Sequence, residues 1–206
     1  MTRGCPWSYK LRLVGLYVLA FGVFYLYPNL FPLFEPVYLP LLAIDVNIPL
    51  VPWTFLIYVS DYVLILLVVI LLKEREQFVS FARMAFGVLV GCGLFFLFFP
   101  TVYPLPPYPD VDNLMVAAVM KFIQIVDQPR NCFPSMHVAL TSVSSWAMRS
   151  FGRKVHLIFW IWTFMIYVST LTTKQHYALD IVGGMGVMLI MILLEKRLFR
   201  SIPHGC

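Results

Sequence analysis

Six apolar stretches, each near the length that crosses a bilayer, constrain this chain more than any other feature of its sequence. A membrane-spanning helix needs about 20 predominantly apolar residues. The chain is 61% hydrophobic and only 12% charged, with a mean hydropathy of +0.84, which lies outside the composition of soluble domains. We therefore predict an all-α polytopic membrane protein with one integral membrane domain over residues 1–206, and with spans at 13–31, 51–72, 84–102, 134–151, 155–171 and 177–194.

The segments between the first three spans are polar or rich in proline. Six of the 15 prolines lie between Pro28 and Pro52, which excludes a continuous helix there. Aromatic residues near this segment, Tyr25 among them, are typical of a membrane boundary. Residues 73–83 have mixed charge, and we expect them to form a short cytoplasmic turn.

Residues 111–127 have apolar side chains at helical spacing, but the segment is too short and too polar to span a membrane. We predict an amphipathic helix that lies on the outer membrane interface. This helix either roofs a lipid-binding cleft or merely packs on the helical bundle. In the last span, Gly183, Gly184 and Gly186 indicate close packing against a neighbouring helix.

The basic residues predict the orientation in the membrane. An even number of spans places both termini on one side, and twelve of the 15 Lys and Arg residues, Arg3 and Arg200 included, fall on that side. The positive-inside rule makes it cytoplasmic, so the net charge of +5 does not call for a nucleic-acid partner. Lys121, Arg130 and Lys174 are the exceptions on the outer side. They serve either as anchors for anionic headgroups or as ligands of a phosphate. Their nearness to two polar segments, described next, favours the second role.

The first polar segment contains His176 and Asp180, which are four residues apart. On a helix they lie on one face, where the carboxylate can hold the imidazole in one tautomer and stabilise its cation. A nucleophilic or basic histidine is built in this way. Metal binding is the other use for such residues, but these two and one further histidine make a thin set of ligands.

The second polar segment contains Ser135 and His137 in a first helical turn, directly after Pro134. Free backbone N–H groups and the positive end of the helix dipole favour a phosphate-like anion at this place. Both segments lie at outer ends of predicted spans and hence on the same membrane face. Two histidines that face one anion suggest a nucleophile and a general acid.

At these residues the chain resembles the type 2 phosphatidic acid phosphatase superfamily of membrane lipid phosphatases and phosphotransferases. One family signature is Pro-Ser-Gly-His, and the chain has Met136 in place of its Gly. Another is Ser-Arg, five residues, His, three residues, Asp. The chain matches it from Ser169 through His176 to Asp180, with Thr170 in place of the Arg.

The remaining family signature is Lys, six residues, Arg-Pro. Lys121, six residues and Gln128-Pro129 nearly match it, with Gln in place of Arg, and Arg130 follows at once. In the family's phosphatases this signature usually lies well upstream of Pro-Ser-Gly-His, whereas here only a few residues separate the two.

The resemblance implies a mechanism that needs no metal and no cofactor. His176, oriented by Asp180, would attack the phosphorus of a lipid phosphate to give a phosphohistidine, while His137 would protonate the leaving oxygen. Lys174 and Arg130 would supply the positive charge that the signature arginines supply elsewhere in the family. Together with the first-turn amides, the residues expected to hold the phosphoryl oxygens are Ser135, Lys121, Arg130 and Lys174.

The acceptor of the phosphoryl group distinguishes two activities. Thr170, the Lys174–Tyr177 run and the Ile48–Trp53 stretch resemble the sphingomyelin and inositol phosphorylceramide synthase branch, which transfers headgroups to an alcohol. The small size resembles a simple bacterial phosphatase. We expect a phosphatase, with a phosphotransferase as the alternative.

The expected partners are a membrane lipid phosphate and the bilayer, while protein partners stay unknown. The expected location is a bacterial inner (plasma) membrane, with the active site on the periplasmic or extracellular face. A six-helix transporter or scaffold is a different class of function, and it would tolerate His176→Ala.

Overall fold

The computed structural model describes residues 4–199, so Arg3 and Arg200 lie outside the described residues. Within this range the chain forms ten α-helices and one two-stranded sheet. A π-helical segment, Gly22–Leu26, separates the first two helices, and 3₁₀ turns lie at Pro52–Thr54 and Met148–Phe151. The helices are α1 (Trp7–Phe21), α2 (Tyr27–Leu30), α3 (Ala43–Asn47), α4 (Phe55–Tyr58), α5 (Ser60–Leu71), α6 (Arg75–Phe98), α7 (Leu114–Val126), α8 (Met136–Ala147), α9 (Arg153–Thr172) and α10 (Ala178–Phe199).

Five helical stretches of the described chain are long and apolar enough to cross a membrane, which indicates an integral membrane protein. The predicted fourth span, 134–151, instead consists of the 12-residue helix α8 and the 3₁₀ turn after it. It is shorter than the other five, so the sixth span stays a prediction. The five stretches are Trp7–Leu30, Pro52–Leu71, Arg75–Phe98, Arg153–Thr172 and Ala178–Leu198.

The cytoplasmic turn predicted over residues 73–83 is wrong, because helix α6 already begins at Arg75. Phe78 and Phe81 in this segment are buried in the main core, and burial of two aromatic rings favours continuing the helix. Arg83 pairs with Glu195 of α10 at 2.5 Å. Burial of Phe78 and Phe81, rather than the charge of the segment, therefore favours a helix over a turn here.

Helix α8 lies at the centre of the bundle, in contact with α5, α6, α9 and α10. His137, Thr141 and Ser144 form a polar stripe along this helix, and all three are buried. The hydroxyl groups satisfy their hydrogen bonds inside the bundle: Thr141 donates to the His137 carbonyl at 2.5 Å, and Ser144 donates to the Leu140 carbonyl at 2.7 Å. A helix with this many hydroxyls is stable in an apolar interior because each has a partner.

Glycines in α10 allow that helix to approach the start of α8. A Cβ atom at Gly184 would lie 2.6 Å from the Ser135 carbonyl oxygen, and one at Gly183 would lie 2.5 Å from the Phe133 ring. Close packing predicted for these two glycines is confirmed. The same prediction for Gly186 is wrong, since nothing lies within 4 Å of a Cβ atom there.

The remaining connections gather at the end of the bundle where α8 begins. Strand β1 (Val37–Tyr38) pairs in parallel with β2 (Thr101–Val102), so that Val37 faces Thr101. Helix α7, within the predicted interfacial segment 111–127, packs against α4 through an apolar cluster. Its place relative to the membrane interface stays a prediction.

Candidate active site

The first part of the site is the tight connection between α9 and α10. The Lys174 N–H donates to the Leu171 carbonyl at 3.2 Å, and the Gln175 N–H donates to the Thr170 carbonyl at 3.2 Å. These bonds form a Schellman motif, with Lys174 in the left-handed conformation at φ 59°. Because a residue other than glycine adopts this conformation at a cost, the turn is held by its surroundings. It fixes the backbone directly before His176.

Asp180 has two tasks at the start of α10. Its Oδ2 accepts a 2.8 Å hydrogen bond from the Tyr177 N–H in the first helical turn, where a carboxylate stabilises the free amides and the dipole. The same Oδ2 lies 3.1 Å from His176 Nδ1. Asp180 is fully buried. This one carboxylate both caps the start of α10 and orients the imidazole.

His176 presents its other ring nitrogen to Ser135. Nδ1 lies near two acceptors, the Asp180 carboxylate and the Cys132 carbonyl at 3.2 Å, so Nδ1 carries the proton in the neutral ring. Nε2, which then has the free lone pair, lies 3.4 Å from Ser135 Oγ. His176 has the proton distribution that a nucleophile needs.

Ser135 joins the two predicted segments. It is the N-cap of α8, where its Oγ accepts from the Val138 N–H at 3.4 Å. Its own N–H donates to the Asp180 carbonyl at 3.1 Å. The structure thus brings the Pro-Ser-Met-His and His-x-x-x-Asp segments together at one place, as the sequence predicted for a shared site.

His137 lies next to His176, with ring centroids 5.6 Å apart. Its Nε2 lies 3.6 Å from Asp61 Oδ2 and 3.8 Å from Asp127 Oδ2. Its Nδ1 lies 3.4 Å from the Tyr58 hydroxyl. Two carboxylates therefore lie within 4 Å of Nε2. They would stabilise a positive charge on the ring, whereas burial of the site opposes that charge.

Two tyrosines hold the Asp127 carboxylate in place. Tyr58 donates to its Oδ2 at 2.6 Å, and Tyr25 donates to its Oδ1 through a short hydrogen bond. Tyr25 lies within the π-helical segment and is buried in the protein, while its place relative to the membrane boundary stays a prediction. The extra residue of a π-bulge often marks a functional place in a helix. Here the π-helical segment contains Tyr25, which donates to the Asp127 carboxylate.

The sequence analysis missed Asp61, Asp127, Tyr58 and Tyr25. Asp61 had a usable signal, because an ionisable residue inside an apolar span is functional by default. Asp127 directly precedes the Gln128-Pro129 pair, but an acidic residue at this place belongs to no motif considered. The two tyrosines had no signal beyond their residue type.

The predicted phosphate ligands fall in different places. Arg130 lines a cavity of about 300 Å³ together with Asp127 and Gln175, which adjoin the two histidines. Lys174 donates to the Asp45 carbonyl at 2.6 Å, and burial lowers the pKa of its ammonium group while the Asp45 carboxylate opposes this shift. Lys121 is exposed on α7. Only Ser135 and Arg130 of the four therefore lie at the histidine pair or in a cavity beside it.

Thr170, which replaces the family's arginine, is buried and donates to the Tyr167 carbonyl at 2.7 Å. Its hydroxyl is part of helix α9 and provides no positive charge. Among residues 4–199, no group of three or more His, Cys, Asp or Glu side chains is arranged to hold a metal ion.

The comparison with known families agrees with this geometry. The family model described as the PAP2 superfamily matches residues 47–194, more than half of the chain. The matched range includes both histidines, Asp180 and Asp61. No curated protein and no solved structure matches the chain.

Proposed function

The chain belongs to the PAP2 superfamily, and from this premise we propose that it is a metal-independent membrane phosphatase that hydrolyses a lipid phosphomonoester or pyrophosphate. The superfamily consists of phosphoric ester hydrolases and phosphotransferases. The observation that carries the proposal is the state of His176: Nδ1 is held by Asp180 at 3.1 Å, and Nε2 lies 3.4 Å from Ser135. A histidine held in this way is oriented to act as a nucleophile toward phosphorus.

The reaction proceeds in two steps. In the first, the lone pair of His176 Nε2 attacks the phosphorus, a nitrogen–phosphorus bond forms, and the bond between phosphorus and the lipid oxygen breaks. His137 gives its proton to that oxygen, which leaves as the lipid alcohol from a phosphomonoester or as the lipid monophosphate from a pyrophosphate. In the second, His137 takes a proton from water, whose oxygen attacks the phosphorus and breaks the nitrogen–phosphorus bond. Phosphate leaves, and both histidines return to their starting states.

The positions of the histidines suit this division of labour. Phosphoryl transfer requires the entering and leaving atoms to lie roughly in line through phosphorus. Ring centroids 5.6 Å apart allow one phosphoryl group to contact both imidazoles. Asp180 would stabilise the positive charge that His176 acquires, while Asp61 and Asp127 would offset part of the cost of protonating His137 in a buried site.

The phosphoryl oxygens would be held mainly by Ser135, Arg130 and the free amides in the first turn of α8. The helix N-terminus and the guanidinium both stabilise the charge that spreads over these oxygens in the transition state. Lys174 and Lys121 stay candidates for this role, and each would have to move from its present place to reach the histidines. The site would face the outer side of the membrane, as the distribution of basic residues predicts.

A phosphotransferase is the second candidate, favoured by Thr170. The buried threonine leaves the phosphate site without the arginine of the family's signature, as in the branch that transfers headgroups to alcohols. The first step is the same in both reactions. Only the second differs, with an alcohol in place of water.

Phosphate release by the purified protein in detergent micelles tests the proposal. The substrates are phosphatidate, a prenyl pyrophosphate and phosphatidylglycerol phosphate, each with and without a metal chelator. We expect release from at least one lipid that persists with the chelator and falls by about 10³-fold or more in His176→Ala, because the nucleophile is lost.

The matched control is His156→Ala. His156 lies near the start of α9, where it accepts a 2.8 Å hydrogen bond from Trp160 Nε1, away from the other two histidines. Its loss should leave turnover within about twofold of the wild type, as for a surface substitution. A new phosphorylated lipid that appears only with an added alcohol would identify the phosphotransferase. Undiminished turnover in His176→Ala would contradict both candidates.

A further inference from the structure

An apolar cavity of about 250 Å³ begins directly at His137 and Asp61. Apart from these two residues and tyrosine hydroxyls, its lining is hydrocarbon, and it lies between α1, α5 and α8. Val18 of α1 and Tyr62 of α5, on its rim, are 61% and 51% exposed. In a membrane such apolar side chains face lipid, so the cavity opens sideways toward the bilayer rather than toward water.

Two further cavities continue the first one along α1. One of about 100 Å³ shares Tyr17, Ile65 and Leu140 with it as walls. The next, toward Arg83, shares Leu13 and Ala82 with the second. The three cavities follow one another between α1 on one side and α5, α6 and α8 on the other, and we call this row of adjacent cavities the groove.

The groove follows one face of the first helix. Tyr9, Leu13, Tyr17 and Phe21 line it at every fourth position, which is the spacing of a single helix face. Twelve residues of helix at about 1.5 Å each give the groove a length of about 18 Å along α1. A lipid hydrocarbon chain needs this shape: long, narrow, apolar and open to the membrane.

Two polar groups mark where the polar part of a ligand would lie. Asp61 Oδ2 stands at the head of the groove, 3.6 Å from His137 Nε2. Further down, the buried hydroxyl of Tyr17 has no hydrogen-bond partner among the described residues. A buried polar group without a partner costs free energy, and a ligand that offers an acceptor would recover it.

We propose that this groove binds the hydrocarbon chain of the lipid alcohol whose oxygen is protonated or deprotonated by His137. This proposal rests on the proposed function, because the position of the carbon chain is inferred from the leaving oxygen of that reaction. The phosphoryl group lies toward His176 and Ser135, so the carbon chain on the leaving oxygen extends to the opposite side of His137, where the groove begins. Asp61 accepts a hydrogen bond from the alcohol hydroxyl, and the Tyr17 hydroxyl donates to an ester or amide carbonyl of the lipid backbone.

Photocrosslinking tests the groove without reference to turnover. The probe is a 16-carbon alcohol with a diazirine near its methyl end, added to the full-length protein in phosphatidylcholine vesicles. We expect labelling concentrated on peptides that contain Leu13 or Ala82, and a loss of at least fivefold in Ala82→Phe, which fills the groove. Equal labelling of these peptides and of lipid-facing α10 would overturn the proposal.

The preference for chain length tests the groove in the reaction. Ala82→Phe should lower kcat/KM for a donor with 16-carbon chains at least tenfold relative to a donor with eight-carbon chains. The matched control is Val182→Phe, which adds the same bulk at a 67% exposed place on α10 and should keep the wild-type ratio. Both variants are compared by thermal unfolding, and Val14→Phe, on the groove side of α1, replaces Ala82→Phe if that variant is unstable.

The rates of the two steps separate the departing alcohol from an incoming one. Dependence of phosphoenzyme formation on the donor's chain length reports the departing alcohol, and dependence of its discharge on the added alcohol's chain length reports the incoming one. An unchanged ratio in Ala82→Phe, with turnover still lost in His176→Ala, would overturn the groove and leave the proposed function intact. Turnover that survives His176→Ala would overturn the proposed function, and the labelling pattern would still decide the groove.

Discussion

The two histidines of the site are held in different ways. His176 lies in the connection before α10, and its partner four residues away is a carboxylate in the first turn of that helix, which also accepts from the Tyr177 N–H. His137 is surrounded by Asp61, Asp127 and Tyr58, which come from two other parts of the chain. One environment is local and fixes a tautomer, while the other is assembled by the fold and supplies negative charge.

This difference matches the two chemical tasks. A nucleophile needs a free lone pair with a fixed direction, which one acceptor on the opposite nitrogen provides. A general acid needs a proton that it can release and recover, which nearby carboxylates favour. Substitutions on the two sides should therefore fail in different ways, and the following experiments compare them.

The largest effect among the partner residues is expected for Asp180→Asn. The amide lacks the charge that stabilises the His176 cation, and its NH₂ group can turn toward Nδ1 and place the proton on Nε2. Turnover should fall by about 10³-fold with every substrate, whatever its leaving group. Near-normal turnover measured with the lipid substrate would show that His176 does not depend on this pair.

A smaller effect, which depends on the substrate, is expected for His137→Ala. Hydrolysis of the lipid phosphate should fall by about 10²-fold, since an alkoxide is then expelled without a proton. With p-nitrophenyl phosphate, whose leaving group needs no proton, the loss in the rate of phosphoenzyme formation should be less than tenfold. Equal losses with both substrates would remove the distinction between the two histidines.

Asp127→Asn should act on the same side and more weakly, by about tenfold on the lipid substrate. Asp61 remains near His137, and one of the two tyrosines can still donate to the amide oxygen, while the other hydroxyl can accept from the amide NH₂ group. The expected mark of a positioning residue is a shift of the alkaline limb of the pH–rate profile for kcat toward lower pH, with little change in KM, because His137 with less support loses its proton at lower pH. A change confined to KM would indicate a role in binding instead.

The last prediction concerns how the two histidine segments are joined. In Gly184→Ala the new Cβ atom would meet the Ser135 carbonyl oxygen at 2.6 Å, so we expect a loss of about 1–3 kcal/mol in the free energy of unfolding together with reduced turnover. Gly186→Ala is the control, because its Cβ atom would meet nothing within 4 Å. It should be neutral or stabilising by thermal unfolding, and equal losses in both variants would contradict packing as the cause.

The site could be predicted from the sequence only where its contacts are local. Asp180 supports His176 at a spacing of four residues, as predicted, but the expectation that both lie on one helix face is wrong, because His176 precedes α10 and the tight turn before it brings the two side chains together. Asp61 and Asp127 meet His137 through the packing of α5 and the α7–α8 connection on α8, which no spacing in the sequence encodes. Tyr25 reaches Asp127 across 102 residues, a contact that no local pattern in the sequence indicates.

The fold shows the same limit. Apolar composition predicted where five long helices lie, because bilayer thickness sets their length. It did not predict that α6 begins at Arg75, since burial of Phe78 and Phe81 depends on neighbouring helices. Within 134–151 the α-helix is only 12 residues long, and whether this central segment crosses the membrane stays a prediction.

The central claim is that His176 carries the phosphoryl group. Rapid quenching in alkali of the protein with a ³²P-labelled lipid phosphate, followed by peptide mapping, tests it most directly. We predict an acid-labile, alkali-stable label on the peptide that contains His176, a label that accumulates when discharge is slower than formation, and its absence in His176→Ala. A label on another peptide, or turnover with the radiolabel never bound to protein, would contradict the account.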